Sequence, residues 1–220
     1  MKFYLNPSNQ PGNVYKLGGT NEKENMTLIA HLVGEALQRS GQEVKIGTGM
    51  ESGVAESNAW PADVHVPLHS NASAVGVARG ARVFYGSAAG AAKIVWEHLD
   101  AIIGGMHVPP SRETQLYEIN RTNAQCIYVE AAFHDNSIDC DLLINHRSEI
   151  AEAIAQGLCK AYGLKYVEPA PAQEKPPEWA EEAVVWAHEN GIMKDGRYNE
   201  PVTRAEAVTM IYRLFNLLKG

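Results

Sequence analysis

Val64-His65-Val66-Pro67-Leu68-His69-Ser70-Asn71-Ala72 decides how the rest of this chain reads. Its first five residues are valine-rich and preceded by Pro61-Ala62-Asp63, the length and composition of a strand buried inside an α/β sheet. The run then enters a polar turn, so His69 and Asn71 stand where the strand leaves the sheet. Ligands of open α/β sheets sit beyond the carboxyl ends of the strands, which makes both residues candidates for a site. A lone histidine in such a place is usually structural, and only its neighbours can decide. His65 has the same strand parity but lies deeper, and reads as a hydrogen-bonded core histidine.

Outward from this strand, strand-like and helix-like segments alternate over the first ~165 residues, the pattern of a mostly parallel twisted sheet flanked by helices. Residues 2–5 read as the first strand. A helix capped by Thr20 or Asn21 follows from 22 to about 40, with Met26, Ile29, Leu32, Val33 and Leu37 on its buried stripe. Strands are expected at 43–46 and 81–85, and helices at 54–60 and 88–103. A loop rich in Gly and Pro over 104–110 precedes two last strand candidates, 116–120 and 126–129. Ile150, Ile154, Leu158 and Cys159 mark a final helix that ends at Gly163.

The composition then changes. Residues 166–177, with Glu168-Pro169-Ala170-Pro171-Ala172-Gln173-Glu174-Lys175-Pro176-Pro177, read as a semi-rigid proline-rich linker. The remaining stretch, 178–220, reads as a helical pair. One helix runs from Trp179 to Asn190 and is stopped by Gly191, and a turn at Asp195-Gly196 follows. A second helix opens on the capping box of Thr203 and Glu206 and carries Val208, Ile211, Tyr212, Phe215 and Leu218 on one face. Two helices of this size bury little core, so the module is expected to pack on a partner or on copies of itself.

The 220 residues suffice for one full domain and a small module, and the formal charge of −7 argues against nucleic acid, whose binding rests on Lys and Arg. Cys126, Cys140 and Cys159 are scattered and read as reduced, mostly buried thiols. No segment is long and apolar enough to span a bilayer, and the amino terminus reads as a strand and turn rather than an export signal. The expectation is synthesis in the cytoplasm, with action elsewhere requiring release by another agent.

Four residues suggest chemistry: Gln10 in Asn6-Pro7-Ser8-Asn9-Gln10, Glu22 at the first helix, His69, and Glu130 after Cys126-Ile127-Tyr128-Val129. A carboxylate left at the mouth of a sheet is costly unless it is paired, protonated or working. Bland readings exist for two of them: Gln10 as a turn residue, and Glu22 as a first-turn acid favoured by the helix dipole.

Glu22, Leu68-His69-Ser70-Asn71-Ala72 and Val129-Glu130 with Phe133-His134-Asp135-Asn136, in that order, resemble the type-3 family of zinc-dependent N-acetylmuramoyl-L-alanine amidases. The resemblance covers residues 1 to about 165 and implies an enzyme that cuts the amide between N-acetylmuramic acid and the L-alanine of the peptidoglycan stem peptide. It implies that Glu22 and His69 hold Zn2+ and that Glu130 is the general acid/base. Asn71 at the strand end and His134 close to Glu130 read as candidate substrate contacts, His134 equally as a structural residue. Three protein ligands leave one zinc position for water, whose pKa then falls toward about 7. The family's usual histidine after the first strand is absent. The chain is similar instead to a phage-lysin subset with Ser-Pro-Ser-x-Gln, which points to Gln10, whereas alignment to the usual turn points to Asn9. A water in place of the third protein ligand stays open too, since a neutral amide is a poor zinc ligand.

The 178–220 module resembles one surface-layer homology repeat, chiefly through Val202-Thr203-Arg204-Ala205-Glu206. That resemblance implies binding of a secondary cell-wall polymer, with Arg204 as the anion contact, or homo-oligomers that complete the usual set of repeats. The whole is read as a phage or prophage endolysin acting on the cell wall after holin-type release. The alternatives are a host autolysin or sporulation amidase, and a wall-binding protein that has lost its metal site.

Overall fold

The structure, a computed structural model, describes residues 1–73, 75–169, 180–192 and 204–219. The chain divides into two compact units, Met1–Glu168 and Pro169–Gly220.

In the first unit, six strands form one mixed sheet: β1 (Lys2–Pro7), β2 (Glu43–Ile46), β3 (Val64–Asn71), β4 (Arg82–Tyr85), β5 (Ser111–Arg112) and β6 (Gln125–Phe133). Their spatial order is β2-β1-β3-β6-β4-β5. The strands β2, β1, β3 and β6 run parallel; β4 is antiparallel to β6 and carries β5 parallel to itself. Six helices accompany them: α1 (Glu22–Arg39), α2 (Met50–Ala59), α3 (Ala89–Ile103), α4 (Tyr117–Arg121), α5 (Ser137–Asn145) and α6 (Arg147–Ala161). This is the mostly parallel, helix-flanked α/β sheet expected.

Strand parity gives the sheet two unlike faces. On one, Phe3 and Leu5, Val64, Val66 and Leu68, Val83, and Ile127 and Val129 join a single buried cluster. That cluster includes Met26, Ile29, Val33 and Leu37 of α1, Val95 and Leu99 of α3, and Ile150, Ile154 and Leu158 of α6. Helix α1 begins where Asn21 accepts a hydrogen bond from the Glu24 N–H, with Glu22 and Glu24 in the positive first turn. Gly157 lets α6 lie against α3, because a Cβ there would stand 2.7 Å from the Val95 Cα. The other face carries Tyr4, Asn6, His65, His69, Cys126 and Tyr128, with α2 and α4 contributing Glu56 and Glu118.

Helix α4 corrects the strand expected at 116–120. Leu116 at its N-cap and Ile119 within it are three apart as a helical face requires, but five residues are too few to separate that spacing from strand alternation. Helix α5 had no sequence counterpart. It is capped by Asn136, which accepts from the N–H groups of Ile138 and Asp139. All three cysteines are buried and unbridged.

In the second unit, α7 (Glu181–Glu189) is followed by Gly191 at φ +66°, the left-handed residue that ends a helix. Arg213 of α8 (Arg204–Lys219) donates to the Ile192 carbonyl at 3.0 Å. Val208, Ile211, Tyr212 and Leu218 of α8 are exposed. The Asp195-Gly196 turn, Thr203, Trp179, most of the linker and the side chains of Arg204 and Glu206 lie outside the described residues.

Candidate active site

From β1 the chain passes through α1 to β2 on one side, and from β2 through α2 to β3 on the other. The carboxyl ends of β1 and β3 therefore flank a topological switch point, where an α/β sheet opens a crevice. The Ser8 N–H donates to the Leu68 carbonyl at 2.8 Å, which ties the loop after β1 to the end of β3.

That tie brings Gln10, Glu22 and His69 together. His69 Nδ1 lies 3.0 Å from Glu22 Oε1 and 3.5 Å from Gln10 Nε2. Asn13 donates from Nδ2 to Glu22 Oε2 at 2.5 Å and to Gln10 Oε1 at 3.2 Å, clamping the two side chains. The Ser70 N–H also donates to Glu22 Oε1 at 3.3 Å. The other side of the His69 ring lies on Tyr128, centroid to centroid 4.8 Å. Asn9 is elsewhere, with its amide against Gly49 at the start of α2.

Glu130 stands directly opposite His69 in the β3–β6 register. Its Oε2 is shielded from solvent and has no hydrogen-bond partner among the described residues. Burial pushes its carboxyl up to about 7; His69 draws it down and Glu22 pushes it up further. At Glu22 burial also opposes ionisation, but hydrogen bonds from His69, Asn13 and Ser8 win and hold the carboxyl below its ordinary range. His69 is pushed up to about 9: burial disfavours its charge, but Glu118 and Glu22 outweigh that, helped by Glu130.

Glu118 was not singled out by the sequence. It is 1% exposed on α4, accepts a short hydrogen bond from Asn6 Nδ2, lies 3.2 Å from His65 Nε2 and reaches within 3.6 Å of His69 Nε2. Nothing in Tyr117-Glu118-Ile119 marks it, because its partners are 112, 53 and 49 residues away, the last from 118 − 69. His65, at 0% exposure, is the hydrogen-bonded core histidine expected.

Asn71 and His134 lie beside this cluster with partners of their own. Asn71 Oδ1 accepts from the Ala72 N–H at 2.8 Å. His134 is buried, stacked on Tyr15 and 2.9 Å from Ser70 Oγ. Next to them, Asp139 is fully buried and accepts from Arg79 Nε and the N–H groups of Gly80 and Phe133, fixing the loop after β3.

An imidazole and a carboxylate facing each other are ordinary ligands of a divalent cation, and the Gln10 amide oxygen becomes available by a half-turn of the amide. Among the described residues no three His, Cys, Asp or Glu side chains converge as a metal site, so a third donor to such an ion would be an amide or water. Three carboxylates near His69 leave an excess of negative charge that a dication would offset. The donors present fit such an ion.

Fold and site together define an α/β protein with a shielded carboxyl beside a histidine at a switch point. The chain belongs to the N-acetylmuramoyl-L-alanine amidase family, which it matches over residues 8–160. Among solved structures, it is similar to the N-acetylmuramoyl-L-alanine amidase AmiC2 of Nostoc punctiforme, at 20% identity and a TM-score of 0.67 over 74% of this chain and 97% of that one. The CwlD amidase of Clostridioides difficile, solved with the GerS lipoprotein, gives 20% and 0.67 over 74% and 98%. The catalytic domain of the CD27L endolysin, which targets Clostridia difficile, gives 20% and 0.64 over 73% and 97%. Comparison with curated protein sequences finds no match.

Proposed function

We propose that this protein is a zinc-dependent hydrolase of the amide between N-acetylmuramic acid and L-alanine in peptidoglycan. The observation that carries the reading is the shielded, unpartnered Glu130 carboxyl set in register with His69, whose Nδ1 faces Glu22 and Gln10. Glu22 and His69 Nδ1 hold the metal, with the Gln10 amide oxygen or a water completing the set. Bound zinc supplies Lewis acidity at the scissile carbonyl and a water of lowered pKa.

Glu130 does the proton work. Its Oε2 takes a proton from the attacking water as the new C–O bond forms, then returns it to the nitrogen as the C–N bond breaks. The products are the free lactyl carboxylate and the α-amine of L-alanine. A carboxyl poised at about 7 can accept and give that proton with little free-energy cost either way. Tyr128 stacks on His69 and limits its rotation.

For residues 178–220 we propose a surface-layer-homology-like module that binds secondary wall polymer through Arg204 or joins copies of the chain. The exposed apolar residues of α8 support a role in contact. The proposed setting is phage or prophage lysis. Sequencing the flanking genes tests it: a holin gene beside this one would support it, and a sporulation or wall-turnover operon would overturn it.

The test is turbidity clearing of purified cell walls by the full chain. Clearing that stops with chelator and returns with zinc supports the reading. Walls that are bound but never cleared would leave a wall-binding protein. Co-sedimentation with walls, and sedimentation velocity of wild type and Arg204→Ala, test the second unit.

A further inference from the structure

We propose that Glu118 is a positioning residue of the site: acting on His69 Nε2, it fixes the ring so that Nδ1 is presented toward Glu22 and Gln10. The inference rests on the metal reading above and assigns a role to a residue that reading does not use.

The argument begins with cost. A carboxylate buried to 1% exposure is strongly unfavourable unless paired and hydrogen-bonded. The packing of α4 does not need one. Ile119 and Leu116 already anchor the helix on Cys126, Tyr128 and Phe84. What a carboxylate adds at this place is an acceptor facing two imidazoles, His65 Nε2 at 3.2 Å and His69 Nε2 at 3.6 Å. The second is an ion-pair distance rather than a hydrogen bond.

Glu118 is itself held rigidly. Asn6 donates to it, and His65 is stacked on Tyr4 with ring centroids 5.4 Å apart. The Tyr4 hydroxyl donates to Glu56 at 2.6 Å. The chain of contacts runs from α2 through β1 and β3 to α4, and it ends at His69. The His69 ring is then constrained on three sides: Tyr128 on its face, Glu22 at Nδ1 and Glu118 at Nε2. A carboxylate facing Nε2 favours the tautomer that keeps a proton there and leaves Nδ1 free to donate its lone pair. Metal-binding histidines are commonly oriented in this way, and losing the partner costs about 10–100-fold in metal affinity or activity.

The experiment measures zinc affinity, by competition with a chromophoric chelator, and the visible spectrum of the cobalt-substituted protein, for wild type, Glu118→Gln and Glu118→Ala. Glu118→Ala is expected to bind zinc about 10–100-fold more weakly and to shift the cobalt spectrum while keeping its circular dichroism. Glu118→Gln, which retains an acceptor for Nε2–H, is expected to recover part of that loss. Variants that bind as wild type does, with an unchanged cobalt spectrum and lower thermal stability only, overturn the inference. Should neither variant fold, ¹⁵N NMR of the zinc-loaded wild type decides it: a proton on His69 Nε2 supports the role and metal on Nε2 overturns it. A wild type that binds no zinc overturns the metal reading and this inference with it, whereas normal binding by every variant overturns this inference alone.

Discussion

Neighbouring residues of β3 serve the two faces of the sheet in different ways. Val64, Val66 and Leu68 point into the apolar cluster formed with α1, α3 and α6. His65 and His69 point the other way, into a layer where Tyr4, Asn6, Glu118 and the Glu130 Oε2 bring polar atoms into burial. The first face gains from non-directional burial, which tolerates exchange of shape for shape. The second depends on directional pairing, where each lost partner strands a buried charge. The stability of the unit therefore rests mainly on one face and its proposed chemistry on the other, a single peptide bond apart.

Substitutions on the two faces should accordingly fail in different measurements. The largest effect is expected at Glu130. Glu130→Gln should lower kcat by about 10²–10⁴-fold, the usual worth of a general acid–base group, with KM and Tm held. A Tm that rises slightly would sharpen the contrast, since an unpartnered buried carboxylate is itself destabilising. Leu68→Ala should do the reverse, costing about 2–5 kcal/mol in urea unfolding while the folded fraction binds zinc as wild type does. A weakened metal site in Leu68→Ala would break the separation of the faces.

Metal linkage comes next in size. Zinc held at a hundred times its dissociation constant should stabilise the wild type by about 2.7 kcal/mol, read as a Tm lost on chelation. His69→Ala, on the same strand, should show no such chelator response. The smallest effect is expected at the helix that delivers Glu22. Asn21→Ala removes the side chain that caps α1 and should cost about 1 kcal/mol of stability, seen by chemical denaturation.

Long elements were legible in the sequence because period and composition agree. Val64-His65-Val66-Pro67-Leu68 reads as a buried strand, and Met26, Ile29, Val33 and Leu37 mark the face that α1 buries. Helix α4 was not legible. Its five residues carry no decisive period, and its identity comes from docking on Cys126 and Tyr128. The site divides in the same way. Glu22 opens α1, His69 lies near the end of β3 and Glu130 follows the readable run 126–129, although β6 continues past it to Phe133, so their residue types could suggest a common edge. Glu118 could not be found in that manner, because its meaning lies in contacts with Asn6, His65 and His69 that only the folded sheet creates. The placing of Gln10 beside His69, with Asn9 against Gly49, likewise follows from the Ser8–Leu68 tie rather than from local spacing.

Mass analysis of the fragments released from purified walls tests the central claim most directly. Zinc-loaded wild type is expected to release stem peptides with a new L-alanine amino terminus and to leave N-acetylmuramic acid with a free lactyl carboxylate. Glu130→Gln, folded and zinc-loaded, is expected to release neither. Cleavage at any other bond, or equal release by the two proteins, would contradict the assignment of this face of the sheet to amide hydrolysis through Glu130.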